Sequence, residues 1–367
     1  MSAAAGPQTT PGHLDALTGI RGIAAWFVVL FHVRGAMEDS LPGWAMVLAD
    51  HGFLAVDLFF ILSGFVLWYN YGERLRGTGM SGALRFWWKR IARIWPLHAV
   101  ILTGFILLYG LLAVTGRDTS AYVLADLPFH ILLIQNWGWT NSLMWNDPAW
   151  SISSEMGAYV LFPALAAVCH WARLSSWALS LMAMGLCVAI WAWFAAAGSP
   201  WLGYHIPQMG LGRCLIEFSL GNVLCLLWQR WRAIGWAQAA AVLAAAAGFA
   251  AGWWWDLPET MVIPGSFAAL ILALALDRGL VSRVLGSRVL TYLGEISYST
   301  YLSHYLLFIL FKFAFVKSTP MIGMGQLLAF IVLVAGASVV LYHGVEKPAQ
   351  RWLNSWTLAR GRRVQPA

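Results

Sequence analysis

Two ionisable residues stand in the first apolar segment of the chain, TGIRGIAAWFVVLFHV. Arg21 and His32 are 11 residues apart. At about 100° per residue their directions differ by roughly 20°, so on a helix they share one face, about 16 Å apart along its axis. That face offers a cation and a group that takes up a proton near neutral pH. We expect both residues to be catalytic; the alternative is that His32 only hydrogen-bonds a neighbouring helix.

Two carboxylates stand near the ends of later apolar segments: Asp57 in HGFLAVDLFFILSGF and Glu155 in NDPAWSISSEMGAYVLFP. Both are expected near the outer ends of their spans, and Asp57 at a depth similar to that of His32. A carboxylate there can hold an imidazole in one tautomer and stabilise its charged form, so both complete the predicted catalytic set. The alternative for Asp57 is an anion favoured by a helix N-terminus. An unpaired Glu155 would be costly in hydrocarbon and should face a cavity or a partner.

A basic cluster, Lys89, Arg90 and Arg93 in RFWWKRIARIWP, precedes the third apolar segment. Three cations within about one helical turn suit the phosphates of a nucleotide-bearing donor such as acyl-CoA. We therefore predict that these residues bind the donor. The alternative is that these cations only set the orientation of the helix in the membrane and contact lipid headgroups. That alternative explains much of the charge.

Two other polar stretches are candidates for substrate binding. In LGEISYSTYLSHYLL, Tyr298, Tyr301 and His304 follow one another at i, i+3 spacing, and we assign Tyr301 and His304 to the substrate. The alternative is a polar seam between helices. Arg213 and Glu217 form a further i, i+4 pair, which we interpret as neutralising itself.

An aromatic stretch, QNWGWTNSLMWNDPAW, supplies candidates for a sugar platform. Flat rings beside amides suit the C–H faces and hydroxyls of a glycan. We therefore assign Trp137, Trp139 and Trp145 to acceptor binding. Because the chain has 23 Trp, an aromatic belt at the membrane interface is a serious alternative.

The elements that position these residues are membrane helices. The 367 residues are 60% hydrophobic and only 11% charged, against about 25% charged in soluble domains. We predict an all-α, polytopic integral membrane bundle with ten spans. They lie at about 16–36, 52–72, 91–114, 150–170, 176–198, 210–230, 235–255, 261–277, 289–314 and 322–345. The short segment 121–136 contains Asp126, Pro128 and His130 and is predicted not to span.

The basic residues predict the orientation. If 121–136 is not counted as a span, most Lys and Arg fall on one side of the membrane. Because basic residues concentrate on the cytoplasmic side, both termini are predicted to be cytoplasmic. The same distribution accounts for the net charge of +7 without a nucleic-acid partner. The four cysteines lie in apolar segments without a CxxC pair, so no metal site is predicted.

Motifs of soluble enzymes give no support to another class. GxSxG, HExxH and Walker A are absent, and the single GxGxxG, GTGMSG at 77–82, lies in a short loop without the strand and helix of a dinucleotide fold. We predict a short tail at 1–13, a transmembrane domain at 14–352 and a basic tail at 353–367.

Taken together, these segments resemble the membrane-bound acyltransferase family 3, whose members resemble bacterial O-antigen and exopolysaccharide O-acetyltransferases. The resemblance rests on Arg21-x10-His32, GFLAVDLFFILSGF, FWWKRIARIWP, WSISSE, LGEISYSTYLSHYLL and VEKPAQRW, in this order. It covers residues 14 to 352. It implies that Arg21 and His32 are required, that acyl-CoA, usually acetyl-CoA, is the co-substrate with no bound cofactor, and that the acceptor is a hydroxyl, usually of a sugar.

The function expected from the residues and the resemblance is transfer of an acyl group from cytoplasmic acyl-CoA to an extracytoplasmic glycan or other hydroxyl acceptor. A multi-pass location in a bacterial inner membrane follows. Two alternatives remain: a transporter, since buried ionisable groups also form proton relays, and a non-catalytic factor for polysaccharide export. The sequence does not indicate an oligomeric state.

Overall fold

The computed structural model describes residues 14–38, 40–168, 170–316 and 321–362. Within these ranges the chain forms helices joined by turns and contains no β-strand, which confirms the predicted all-α class. The α-helices are α1 (Asp15–Val33), α2 (Gly43–Asp50), α3 (Ala55–Leu67), α4 (Glu73–Leu75), α5 (Gly79–Val114), α6 (Leu127–Leu132), α7 (Ala149–Val168), α8 (Ser176–Ala196), α9 (Ile206–Trp231), α10 (Ala237–Trp255), α11 (Glu259–Leu276), α12 (Leu280–Leu285), α13 (Arg288–Glu295), α14 (Ser297–Phe315), α15 (Met324–Leu341) and α16 (Lys347–Arg362).

Two predicted segments fall wholly or partly outside this description. The N-terminal tail, 1–13, lies outside the described residues. Of the predicted basic tail, only residues 353–362 are described, and they continue α16. Helix α16 therefore crosses the domain boundary predicted at residue 352.

Nine helical segments in the described part of the chain are long and apolar enough to cross a membrane. They are Asp15–Ala36, Gly43–Leu75, Gly79–Val114, Ala149–Val168, Ser176–Ala196, Ile206–Trp231, Ala237–Trp255, Glu259–Leu276 and Met324–Trp356. Each overlaps one of the ten predicted spans.

The remaining predicted span, 289–314, is divided between α13 and α14. Helix α14 has 19 residues, which at 1.5 Å each give about 28 Å, nearly the thickness of the hydrocarbon core. Its buried face is polar and carries Ser299, Thr300, Ser303 and His304. Because this face contacts other helices instead of lipid, the sequence of α14 is less apolar than the sequences of the nine membrane-length segments.

The segment 121–136 forms no helix of membrane length. Its only α-helix, α6, has six residues and ends at Leu133 in the left-handed conformation, with φ of 56°. Six residues rise about 9 Å, far short of a bilayer. The prediction that this segment does not span is confirmed.

Helices α3 and α9 form the centre of the bundle. In the most apolar 18-residue stretch of each of these two segments, 72% is buried inside the protein. The corresponding share is 17% for α8 and α10, which lie at the periphery. Close approach at the centre depends on Gly64 of α3 and Gly221 of α9, since a Cβ at either would collide with the main chain of the other helix.

Helix α5 continues beyond the predicted span of 91–114. It has 36 residues, about 54 Å in length, which exceeds the hydrocarbon thickness of about 30 Å. Its N-terminal half carries the basic cluster Lys89, Arg90 and Arg93. One continuous helix therefore joins the predicted donor cations to the interior of the bundle.

Candidate active site

A cavity of about 150 Å³ opens between α1, α3, α5, α7 and α14. Its walls bring together residues that the sequence places up to 280 positions apart, and five of the twelve predicted site residues are among them. The polar lining comprises Arg21, Ser63, Arg90, Arg93, Ser151, Glu155, Tyr159, Ser297, Tyr298 and Tyr301. The apolar lining comes mainly from α3, including Phe59 and Phe60.

The three guanidinium groups of the cavity differ in their partners. Arg93 forms an ion pair with the buried Glu346, whose other oxygen accepts a hydrogen bond from Ser299 at 2.7 Å. Arg90 lies over the rings of Tyr71 and Tyr159 at 5.4 and 5.9 Å. Arg21 has no ion-pair partner among the described residues. Two of the three cations thus remain without a carboxylate within salt-bridge distance.

The carboxylate of the cavity is held by a tyrosine. Tyr159 donates a hydrogen bond of 2.5 Å to Glu155 Oε1, and its hydroxyl lies 3.3 Å from Ser63 Oγ. The two residues are one helical turn apart on α7, which fixes the direction of the carboxylate. The prediction that Glu155 faces a cavity is confirmed. Tyr159 was missed, although its i+4 spacing from Glu155 is a signal that could have found it.

His32 lies next to the cavity and does not line it. Its ring contacts the ring of His304 with centroids 4.9 Å apart, and Tyr305 at 5.7 Å. The His304 ring is in turn 6.0 Å from the ring of Tyr301, which does line the cavity. A continuous series of polar rings therefore connects His32 with the space beside Arg21 and Glu155.

Tyr301 anchors this series to the start of α7. Its hydroxyl donates to Pro148 O at 3.1 Å and lies 2.6 Å from Ser151 Oγ. Asp147 precedes these residues and is close enough to act electrostatically on the hydroxyls of Tyr301 and Tyr305. Burial raises the pKa of Asp147 to about 6. Sequence reasoning missed Asp147 because it stands in a loop beside many other polar residues.

The predicted pairing of Asp57 with His32 is wrong. Asp57 is fully buried and receives two hydrogen bonds from Arg213, from Nε at 2.7 Å and Nη2 at 2.6 Å. A bidentate guanidinium saturates the two oxygens in the geometry that a carboxylate prefers. Asp57 therefore joins α3 to α9 and does not line the cavity.

This pairing also corrects the predicted Arg213–Glu217 pair. The remaining Nη1 of Arg213 donates to Leu202 O at 2.8 Å, so each guanidinium nitrogen donates a hydrogen bond to a group other than Glu217. Both oxygens of Glu217 are buried without a hydrogen-bond partner among the described residues. An i, i+4 spacing allowed the pair, but a carboxylate on the adjacent helix offered the better two-point geometry.

Lys89 stands apart from Arg90 and Arg93. It is exposed and lies outside the cavity lining, with its ammonium 5.8 Å from the ring centroid of Tyr71. The basic cluster therefore places two cations in the cavity wall and leaves the third at the surface.

The aromatic stretch does not form a continuous platform. Trp145 is 2% exposed, packs against Tyr109 and Tyr122, and is out of reach of a sugar, which corrects its assignment to acceptor binding. Trp137 is half-buried and donates to Ser153 O at 2.8 Å. Trp139 is 60% exposed and stacks on Phe129. Trp139 is the most accessible of the three.

Helices of membrane length thus surround a cavity of arginines and a carboxylate with a histidine beside it, and the comparison with known families assigns this arrangement to a class. The family model described as "Acyltransferase domain" matches residues 14–343. The chain belongs to the membrane-bound acyltransferase family 3.

Curated relatives agree with this assignment. The chain is 29% identical over 316 residues to "Acyltransferase MdmB" of Streptomyces mycarofaciens, covering 80% of this chain and 78% of that protein. It is 32% identical over 169 residues to "Protein 2 in picA locus" of Rhizobium radiobacter, covering 41% and 80%. It is 24% identical over 236 residues to a Staphylococcus aureus protein named as a putative O-acetyltransferase, covering 59% of this chain and 35% of that protein. No solved structure gives a significant match.

Proposed function

We propose that this membrane acyltransferase moves an acetyl group from cytoplasmic acetyl-CoA to a hydroxyl of an extracytoplasmic acceptor, a cell-surface or secreted polysaccharide. The observation that carries the proposal is the cavity beside Glu155 and the His32–His304 contact, in which Arg21 and Arg90 have no carboxylate of the described residues within salt-bridge distance. Uncompensated cations inside a membrane bundle are costly, and an anionic substrate would offset that cost.

The cavity is too small to enclose the whole donor molecule. A volume of about 150 Å³ is below the roughly 300–1,000 Å³ of sites that enclose a whole drug-sized ligand. The acetyl thioester end enters, and the nucleotide stays outside near the N-terminal half of α5. Arg90 binds the phosphates together with Arg93. The ion pair with Glu346 neutralises part of the charge of Arg93. Lys89 contributes from the surface as a mobile point charge.

Arg21 is assigned to the reacting carbonyl. A guanidinium in the cavity wall can donate to the thioester oxygen as negative charge develops on it, the role of an oxyanion hole. The hydroxyl oxygen of the acceptor then forms a bond to the carbonyl carbon and the carbon–sulfur bond breaks, with its electron pair going to sulfur. His32 takes the hydroxyl proton as general base, and the proton reaches the departing thiolate. Free CoA and an ester result.

The acceptor side of the proposal rests on the direction of the helices. Along α14, Ser297, Tyr298, Tyr301 and His304 progress from the predicted cytoplasmic end toward the outer half. His32 lies near the outer end of α1 on the predicted topology. The donor would thus enter from one face and the acceptor from the other. Trp139 is the exposed aromatic candidate for a sugar on the outer side.

The direction is tested by topology. A reporter in 137–149 or 199–208 is expected outside the cell and one in 77–83 in the cytoplasm. A cytoplasmic reporter at 137–149 would place the acceptor on the wrong face and overturn the proposed direction, while leaving the family assignment intact. A periplasmic or external result at 77–83 would do the same for the donor.

The reaction is tested with purified protein in lipid nanodiscs, acetyl-CoA, and surface glycan from a strain lacking the protein. Free CoA is measured by a thiol reagent, and transfer by labelled acetyl in the glycan. Wild-type protein is expected to give both in equal amounts. His32→Asn, which retains an amide near Nδ1, is expected to give neither. Uptake of substrate into vesicles without free CoA would instead identify a transporter, and the absence of both would leave an assembly factor.

A further inference from the structure

Two histidines from different helices face each other beside the cavity. His32 of α1 and His304 of α14 have ring centroids 4.9 Å apart and planes inclined by 61°. His304 is fully buried, with no exposed surface. Such proximity in an apolar interior is unfavourable for two protonated rings, so the pair holds at most one extra proton.

The main chain determines the tautomer of each ring. Nδ1 of His32 lies 2.9 Å from Val28 O, and Nδ1 of His304 lies 3.3 Å from Thr300 O. A carbonyl oxygen only accepts hydrogen bonds, so each Nδ1 must carry the hydrogen. In the neutral rings each Nε2 is then an unprotonated acceptor. Each imidazole can therefore accept a proton at its Nε2.

The Nε2 of His304 has no partner. It is buried and unbonded among the described residues. The Tyr301 ring lies 6.0 Å from the His304 ring, but its hydroxyl bonds Pro148 O and Ser151 instead. An acceptor left unsatisfied in a protein interior costs about 1–3 kcal/mol. A histidine that only joined helices would use its Nε2 to bond a neighbouring helix, because its Nδ1 already bonds within α14.

We propose that His304 is a proton-relay partner of His32, which shares with it the proton of the acceptor hydroxyl. The inference rests on the proposed O-acyl transfer. As the hydroxyl oxygen bonds to the carbonyl carbon, its proton moves to an Nε2 of the pair and is held between the two rings. When the carbon–sulfur bond breaks, the pair returns the proton to the thiolate, and both rings become neutral again.

Two rings on different helices allow the proton to be taken up at one position and released at another. Transfer needs a base at the hydroxyl and an acid at the sulfur, and the two atoms lie on opposite sides of the reacting carbon. A proton shared by two rings on α1 and α14 can be taken up at one position and released at the other. His304, through its contact with Tyr301 at the cavity wall, lies on the side of the pair nearer the thioester.

The test uses substitutions that separate the two nitrogens of the ring. His304→Asn keeps an amide donor near Nδ1 for the bond to Thr300 O and removes Nε2. His304→Ala removes both. The matched control is His98→Gln, since His98 is 1% exposed, bonds His130 O through Nε2 at 2.8 Å and has a free Nδ1. This control removes the free nitrogen of a buried histidine outside the cavity and keeps the bonded one.

The expected result is a fall in kcat of about 10²–10⁴-fold in both His304 variants, the usual contribution of a general base. The KM for acetyl-CoA should change less than threefold, and His98→Gln should retain activity. The assay measures free CoA with the glycan from the strain lacking the protein, together with thermal unfolding in nanodiscs. Near wild-type activity in His304→Asn with loss in His304→Ala would show that only the Nδ1 bond to Thr300 O matters, a structural role within α14, and would overturn the proposal.

A second readout does not depend on turnover. Nitrogen-15 NMR of the wild-type histidine rings is expected to show Nδ1 protonated and Nε2 bare at both residues, assigned by comparison with the His304→Gln protein. A protonated Nε2 at His304 would overturn the proposal. If wild-type protein releases no CoA at all, the proposed O-acyl transfer itself fails; if it does and His304→Asn matches it, only the role of His304 fails.

Discussion

Two groups of buried charges occupy the interior of this protein, and they are built in opposite ways. Around Asp57, the guanidinium of Arg213 engages both carboxylate oxygens and a main-chain carbonyl. Around Glu155, a cavity separates the charges, and Arg21 has no ion-pair partner in the described chain. In the first group the Asp57–Arg213 pair is closed and joins helices, while the nearby Glu217 has no hydrogen-bond partner among the described residues. The second is open and can receive a substrate.

The comparison shows that an ionisable residue in a membrane helix does not by itself indicate chemistry. Asp57 and Glu155 both stand near the ends of apolar segments and look alike in sequence. The distinction lies in whether a partner on another helix satisfies them. Satisfied charges stabilise the framework, and unsatisfied charges around a cavity are available to a ligand.

Breaking the closed group should have the largest effect on stability. Arg213→Ala leaves Asp57 as an uncompensated buried charge, which typically costs about 3–5 kcal/mol. Thermal or denaturant unfolding in detergent would measure the loss. The double variant Asp57→Leu with Arg213→Met removes both charges and is expected to recover most of the stability. A double variant as unstable as Arg213→Ala would mean that this pair is more than a structural contact.

Asp147 offers an intermediate case, a half-buried carboxyl without an ion-pair partner in the described chain. Its folded-state pKa of about 6 exceeds the ordinary 3.8, so the folded state binds the proton more tightly. Stability should therefore fall as pH rises from about 4 to 6 and stay level above, by about 1–3 kcal/mol. Asp147→Asn should abolish that fall in unfolding measured at pH 4.5 and 7.5, whereas exposed Asp118→Asn should not. An unchanged slope in Asp147→Asn would contradict the assignment.

Within the open group, Arg90 and Lys89 should differ although they are neighbours in sequence. Arg90→Ala removes a cation from the cavity wall, and a lost charge-assisted hydrogen bond of about 1.5 kcal/mol raises the KM for acetyl-CoA roughly tenfold. Lys89→Ala should raise it less than threefold, because exposed charges are screened. Both constants come from initial rates of CoA release at low salt. Equal effects would indicate a diffuse surface potential in place of a site.

The smallest effect is expected at the aromatic stretch. Trp139→Ala should raise the apparent KM for the glycan a few-fold and leave that for acetyl-CoA unchanged, because stacking on one ring contributes about 1 kcal/mol. Trp139→Phe should retain more of the affinity. Trp145→Ala should instead lower the unfolding temperature, since this ring is buried. An unaltered glycan constant in Trp139→Ala would assign the residue to the interfacial belt.

The sequence predicted the helical frame well because length and apolar content alone decide it. All nine membrane-length helices overlap predicted spans, and 121–136 was rightly left out. The frame also placed Arg21, Arg90, Arg93, Glu155 and Tyr301 where one cavity gathers them. Helical spacing predicts which residues share a face, and shared faces turned inward are enough to bring such residues together.

Pairing between helices was the part that the sequence could not predict. The partner of Asp57 is 156 positions away on α9, and that of Arg93 is 253 positions away beyond α15. No local pattern specifies such contacts, since they depend on how helices pack. For the same reason Trp145 resembled an accessible ring until its surroundings, Tyr109 and Tyr122, were known.

The most direct test of the difference between the two groups compares Arg21→Gln with the Asp57→Leu, Arg213→Met double variant at saturating acetyl-CoA. Arg21→Gln is expected to unfold like the wild type and to release CoA about 10²–10³-fold more slowly, the usual loss when one oxyanion donor is removed. The double variant is expected to remain within threefold of the wild-type rate. Full activity in well-folded Arg21→Gln, or an equal loss in both proteins, would contradict the assignment of chemistry to the open cavity.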